Sequence, residues 1–482
     1  MVPSRGPSWT ALAVVLAAYL ISFAVFYPNV ITITDEAAYL RQAAALSEGH
    51  TIVVAPNAFT GRDEPIQVSN YPPGTSLLMA PFIALGGWKA AFLLGALCLA
   101  ATVLLLAWWL EREGRSRLFA IAVLMYPPAL VISRCAMSDL PSTLIVTAAL
   151  VLFWESRGRI GWMVGAGFLA GLSFALRDTN PLIFAPFAVG ALIRRQRGAW
   201  PMALAAAMGA GVRFLSSLLV YGEIYHRNPG IFGFALSAPL QTLPIHLLAL
   251  LVLVPGGLVF AALYRGKQRL EVLTAIALFV AVHLFYTYDA ASSGGIKQLI
   301  LAPRYFCPLL PLLVFAASES ITRLAPRFAA MLPRARAIYA TIAVVAASEA
   351  VAVNWAHARW SRGQRAIVDA LYSRTTSQRP VITNLMVTRK YLNELYEREF
   401  GPRVIVDIDT VTAPRLAMLL TSHPSMDVAL LDRRDSDYWR AASDADQRKI
   451  GEWARTFDLE PTTSTGELSG IGAVRLYAVR AR

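Results

Sequence analysis

The chain has 482 residues, 56% of them hydrophobic and only 16% charged, and its mean hydropathy is +0.50. A soluble protein of that length would form roughly three domains, but so few polar side chains cannot coat them, which places most of the chain in lipid. Lys and Arg number 44 against 31 Asp and Glu, a net charge of +13; in so apolar a chain, Arg-rich loops report membrane orientation, and no nucleic-acid partner is expected.

The first apolar run, Trp9 to Pro28, follows Arg5 and is long enough to span a bilayer. It has no small-residue cleavage site before the chain turns polar, so it reads as an uncleaved anchor. Further runs of about spanning length lie at 88–110, 118–134, 138–155, 161–176, 179–193, 199–220, 243–264, 270–288, 303–320 and 337–355, about eleven spans in all. Alternate connections carry the arginines: 112, 115 and 117; 157 and 159; 194, 195 and 197; 265 and 269 with Lys267; 323, 327, 334 and 336. Those connections are cytoplasmic by the positive-inside rule. The reading is a multi-pass protein of the inner (cytoplasmic) membrane, with a cytoplasmic N-terminus and an extracytoplasmic C-terminal domain. Cys98, Cys135 and Cys307 are odd in number and sit in or beside apolar runs, as membrane-buried thiols do.

The first outer loop, about residues 29–87, is far longer than the other connections, and long loops in such proteins are usually functional. It opens with Thr34-Asp35-Glu36-Ala37-Ala38-Tyr39-Leu40. Thr34 can cap a helix whose first turn carries two carboxylates, an arrangement that also fits an ordinary helix start. A helix N-terminus also keeps a carboxylate ionised and able to accept a proton. Leu40, Ala43, Ala44 and Leu46 make this helix amphipathic, suited to the membrane interface. Further along, Asn70-Tyr71-Pro72-Pro73-Gly74 leads into a short apolar helix, and the two prolines make a rigid turn.

The second outer connection is Arg134-Cys135-Ala136-Met137-Ser138-Asp139-Leu140-Pro141. A carboxylate at the mouth of a span is costly unless paired or wet, and Arg134 is the nearest partner for Asp139. The third, Arg177-Asp178-Thr179-Asn180-Pro181, equally reads as a self-paired cap. The last outer loop holds Ser292-Ser293-Gly294-Gly295, Lys297 and Pro303-Arg304-Tyr305. Arg suits bidentate phosphate contacts, although a snorkelling pair at the headgroups is the plainer reading. His residues show no paired spacing, and neither a serine nucleophile elbow, a Cys–His pair nor a phosphate loop is apparent. No motif demands a cofactor; a divalent cation held by carboxylates near Asp35 is compatible with the sequence.

From about residue 357 charged residues become frequent, and the tail, 357–482, alternates strand and helix. Strands are predicted at Pro380–Asn384, Arg403–Asp407, Asp427–Leu431 and Val474–Val479, with helices around 389–398, 414–422 and 438–456. This favours a soluble α/β domain with a largely parallel sheet. The fold class expected is therefore a polytopic α-helical membrane protein, its membrane domain covering residues 1–356, followed by that C-terminal domain.

Asp35-Glu36 after an N-terminal anchor, Tyr71-Pro72-Pro73-Gly74, Ser138-Asp139-Leu140-Pro141 and Arg304-Tyr305 before a Pro-rich span resemble the GT-C glycosyltransferases. Most similar is the group of protein O-mannosyltransferases and lipid A aminoarabinose transferases, over about residues 9–355. The resemblance implies that Asp35 is the general base supported by Glu36, that Asp139 is a second outer carboxylate near the substrates, and that Arg304 and Tyr305 face the donor phosphate. Tyr71 lies in the Tyr-Pro-Pro motif that is part of the resemblance and counts among the substrate-binding residues. Arg177 and Lys297 join that phosphate by position and charge. Asn70-Tyr71 stands where the aminoarabinose transferases carry a Glu-Lys pair, so their metal ligand and phosphate lysine are not reproduced.

The implied partners are a polyprenyl-phosphate-linked sugar donor, a lipid, glycan or protein acceptor, and the lipid bilayer. The released phosphate is a stable leaving group, so one base plus cations suffices for a single inverting displacement. The rival reading is a transporter or lipid flippase, which would place ionisable residues at the bilayer midplane. Arg213, Glu271 and Glu349 are the charges that the sequence does not assign to a span edge.

Overall fold

A computed structural model describes residues 7–60, 62–66, 69, 71–226, 235–248, 250, 257–286, 301–328, 335–384, 390–434, 437–462, 464–466, 468 and 472–482. Lys297, the Ser292–Gly295 stretch and Asn70 lie outside the described residues. The chain divides into two compact units. A helical unit comprises Met1–Tyr27, Asn70–Leu85 and Ala90–His357; a mixed unit comprises Pro28–Ser69, Gly86–Lys89 and Ala358–Arg482. Most of the long first loop therefore folds with the C-terminal segment, although more than 280 residues of the other unit separate them in sequence.

In the helical unit, four described helices are long and apolar enough to cross a membrane: Trp88–Arg112, Ala199–Tyr221, Pro303–Pro326 and Ala337–Arg374. Shorter apolar helices are Trp9–Val25, Gly74–Gly86, Ile160–Ala175 and Pro181–Ile193. The run at 118–134, expected as one span, is broken into Arg117–Ala120, Ile121–Leu124 and Pro127–Ile132. Pro127 has no N–H to continue a helix, and Tyr126 before it is pushed to an extended backbone, φ −98° and ψ 100°. The last helix, Ala335–Arg374, has 40 residues and runs well past the predicted end at 355.

Glycines set the closest helix contact. A Cβ on Gly167 would lie 2.1 Å from the Met202 carbonyl oxygen, on Gly171 2.0 Å from that of Ala206, and on Gly209 2.2 Å from that of Phe168. The Ile160–Leu172 and Ala199–Tyr221 helices thus touch backbone to backbone, the small-residue packing that replaces hydrophobic drive inside lipid. Of the three unassigned charges, Glu271 pairs with Arg194 from a basic loop, and Arg213 pairs with Asp178 of the third outer connection at 3.4 Å. Both therefore belong to ion pairs with loop residues. The three cysteines are free and buried.

The mixed unit is built on a five-stranded sheet. Its strands are β3 (Val381–Thr383), β4 (Ile405–Asp407), β5 (Ser425–Arg433), β6 (Asp458–Pro461) and β7 (Gly472–Arg480), in the order β4-β3-β5-β7-β6. β3 pairs in parallel with β4 and β5, whereas β7 runs antiparallel to β5 and β6. The sheet is mixed, not largely parallel, because the chain returns through β6 and the unpredicted β6–β7 pairing. β5 is central and buried on both faces from Met426 to Asp432, which is why its middle, Val428–Leu431, reads as a continuous apolar run between two aspartates. The predicted helix at 389–398 is found at Glu394–Phe400.

The core under this sheet joins Ile382, Val406, Val428, Leu430 and Val479 to Leu416, Leu419, Ile450, Trp453 and Phe457. Ala58 belongs to the same core and Phe59 packs against it. Both sit at the tip of an unpredicted hairpin, β1 (Val53–Pro56) with β2 (Asp63–Ile66), paired Val53 to Ile66. Four-residue strands in a polar loop leave too short an alternation to read.

Candidate functional site

In the helical unit, Asp139 opens the helix Asp139–Glu155, where a carboxylate suits the helix dipole. It is fully buried, and its Oδ1 receives Arg177 Nη1 at 2.6 Å. Its Oδ2 is buried with no hydrogen-bond partner among the described residues. Arg134 is not its partner, contrary to the sequence expectation, and Arg177 and Asp178 are not paired with each other. Asp178 instead accepts from Tyr225 at 2.9 Å and meets Arg213.

Arg177 and Arg304 converge on one aromatic ring. Their guanidinium carbons lie 4.7 Å and 5.0 Å from the centre of Tyr305, within cation–π range. Arg304 Nη2 also donates to the Tyr305 hydroxyl at 3.3 Å. Arg304 is only 7% exposed, so it is not a headgroup snorkeller. It stands in a run of 3-10 geometry, Pro303–Leu309, opened by a proline, and Tyr126 Oη anchors that run by donating to the Pro303 carbonyl at 2.7 Å. Two guanidinium charges and one carboxylate leave the Asp139–Arg177–Arg304 group with one net positive charge, a set suited to an anion.

Tyr71 belongs to the same unit, its carbonyl accepting from Tyr221 Oη at 2.7 Å. Three residues on, a Cβ at Gly74 would sit 2.4 Å from the Ala175 carbonyl oxygen. The Tyr71–Gly74 turn is thus pressed onto the chain just before Arg177, and only glycine permits that approach. Tyr221 and Tyr126 are the contributors the sequence reading missed. For Tyr221, a tyrosine at the end of an apolar run was the available signal; Tyr126 lies mid-run and gave none.

Arg134 serves a second, separate network. It is wholly buried, and Nε donates to His357 Nδ1 at 3.0 Å and Nη1 to Asn354 Oδ1 at 3.2 Å, while Nη2 donates to the Phe26 carbonyl. Because His357 Nδ1 accepts, its Nε2 carries the hydrogen that faces Cys135 Sγ at 3.7 Å. A Cys–His contact therefore exists where the sequence showed none, between residues 222 positions apart. Asn354 continues the network to Ser22 Oγ at 2.5 Å.

Asp35 and Glu36 belong to the mixed unit. The helix Thr34–Ser47 begins one residue earlier than expected, with Ile33 rather than Thr34 at its N-cap. Glu36, completely buried, reaches back so that Oε2 accepts from Thr32 N, Thr32 Oγ1 and Ile33 N, each at 2.7 Å. It satisfies backbone donors that a helix start leaves orphaned. Asp35 is partly exposed. The helix buries eight residues, Gln42 among them, and is pinned by Arg41–Glu394 and Glu48–Arg398 ion pairs.

Among the described residues no three His, Cys, Asp or Glu side chains gather as a metal site. Glu36 Oε2 is already committed to three donors.

No protein-family model matches the sequence, and no curated protein matches it. Solved structures do. The ArnT of Cupriavidus metallidurans bound to undecaprenyl phosphate superposes with a TM-score of 0.58 at 14% identity, covering 98% of each chain. The same protein in its apo state gives 0.58 at 13% identity over 97% of each. A weaker likeness, 0.46 at 12% identity over 94% of this chain and 72% of the other, links it to the oligosaccharyltransferase of Archaeoglobus fulgidus. By fold, this chain is similar to ArnT over nearly its whole length.

Proposed function

We propose that the protein is an inverting glycosyltransferase that moves a sugar from a polyprenyl-phosphate donor to an acceptor hydroxyl at the outer face of the cytoplasmic membrane. The observation that carries the reading is the convergence of Arg177 and Arg304 on Tyr305, in a chain whose fold matches end to end a transferase bound to undecaprenyl phosphate. Asp35, partly exposed at a helix start, is the group suited to take the acceptor proton. Glu36 supports it by fixing the turn. The new bond joins the acceptor oxygen to the anomeric carbon as the bond from that carbon to the phosphate oxygen breaks. The proton passes to Asp35, and the pair of electrons leaves with the phosphate. Arg177, Arg304 and Tyr305 receive the developing phosphate charge in a water-poor setting; Tyr71 and Lys297 complete the assigned substrate contacts. About eleven spans, a cytoplasmic N-terminus and an extracytoplasmic mixed unit are the topology that goes with this reading.

The test is direct. Membranes containing the protein are given undecaprenyl-phosphate-linked sugars, and lipids and acceptors are followed by mass spectrometry. Consumption of one such donor with appearance of undecaprenyl phosphate is expected, and its loss in Asp35→Asn. Transfer at near wild-type rate in that variant would remove the base assignment; movement of a lipid between leaflets without sugar transfer would favour a flippase.

A further inference from the structure

The short helix Glu394–Phe400 touches the Asp35 helix and the chain leading into it at three points. Tyr396 Oη accepts the Ile31 backbone N–H at 2.8 Å, one residue before the Thr32–Glu36 turn. Glu394 pairs with Arg41 and Arg398 with Glu48. These contacts join residues at least 350 positions apart. Tyr396 is fully buried; its ring meets Trp88 edge to face at 5.4 Å and Tyr372 at 6.3 Å. Burial holds its phenol well above the ordinary tyrosine range, so it stays a neutral hydroxyl. Asn393 caps the short helix by accepting from Leu395 N at 2.9 Å, and Lys89 and Arg365 hold its far end through Glu399 at 2.6 Å and 2.9 Å.

Glu36 closes the turn internally by accepting from Thr32 and Ile33. The Ile31 N–H is the last backbone donor before it, and its acceptor comes from the C-terminal segment. We propose that Tyr396 is a positioning residue for Asp35, and that the C-terminal segment aims the general base rather than merely accompanying the transferase. This rests on the reading of Asp35 as the base. A displacement of about 1 Å in such a group costs up to about 100-fold in rate, and a base that touches only the acceptor proton leaves donor affinity alone.

The test uses the full-length protein in lipid nanodiscs, with whichever of undecaprenyl-phosphate-linked glucose, mannose or aminoarabinose it turns over fastest. Tyr396→Phe keeps the ring packing and removes only the acceptor. Its kcat is expected to fall between about tenfold and about 100-fold, with KM for the lipid donor within about twofold of wild type. Arg41→Glu and Glu394→Arg singly lower kcat, and the double exchange restores it. If Asp35→Asn is inactive while Tyr396→Phe keeps wild-type kcat, the positioning role is wrong and the base stands. A fall in kcat matched by a rise in KM, or an exchange that restores nothing, also overturns it. If Asp35→Asn turns over normally, the base reading fails and takes this inference with it. Should the single charge variants not fold, Tyr396→Phe alone decides.

Discussion

The two regions that hold the candidate carboxylates solve opposite problems. Asp139 is fully buried and ion-paired to Arg177, whereas Asp35 is partly open at a helix start whose backbone donors are satisfied by its neighbour Glu36. A buried paired acid is bound to its cation and contributes shape and charge balance. Asp35 keeps part of its surface open to solvent. Under the proposed function the difference sorts the two by work: Asp139 balances the charge of Arg177, and Asp35 is assigned the acceptor proton.

That division can be broken by experiment. Asp35→Asn should lower kcat by about 10²- to 10⁴-fold and leave thermal unfolding in detergent unchanged, since its carboxylate is not buried. An Asp35 variant that melts early would put it on the structural side. Arg177→Ala should cost about 3–5 kcal/mol by stranding Asp139. The double change Asp139→Leu with Arg177→Met should cost far less than either single loss, as measured by unfolding; equal costs would mean that the pair is not coupled. Glu36→Ala orphans the donors of Thr32 and Ile33, and about 1–3 kcal/mol of local stability should be lost, seen as faster amide exchange over residues 31–40. Last, Asn393→Ala removes one helix cap and about 1 kcal/mol, a shift in melting temperature that sharpens how firmly the short helix is held.

The apolar helices were readable because long apolar runs are strong, local signals. Arg177, Arg304 and Tyr305, singled out in the sequence from separate connections, do gather on one ring. Pairing was not readable. Arg134 and Asp139 are five residues apart in sequence, yet each finds a distant partner: His357 for one, Arg177 for the other. Charge proximity in sequence says little once a tight turn points neighbouring side chains to different helices. The proline break at Tyr126 was legible in principle and was overridden by the hydropathy of the surrounding run. The union of the first loop with the C-terminal segment carries no local signal, since its contacts are set by shape over hundreds of residues.

That union also dictates an order of events. Residues 28–69 complete a core whose other half begins at residue 358. At ordinary synthesis rates of about 5–20 residues per second, the first loop must wait roughly 15 to 60 s for its partner to emerge. Through that interval Ala58 and Phe59 have no core to enter, so the Asp35 helix acquires its native setting only after the last membrane helix has been made. A nascent chain stalled or cleaved before residue 394 would lack the Tyr396 hydroxyl that accepts the Ile31 N–H, and with it the Arg41 and Glu48 ion pairs.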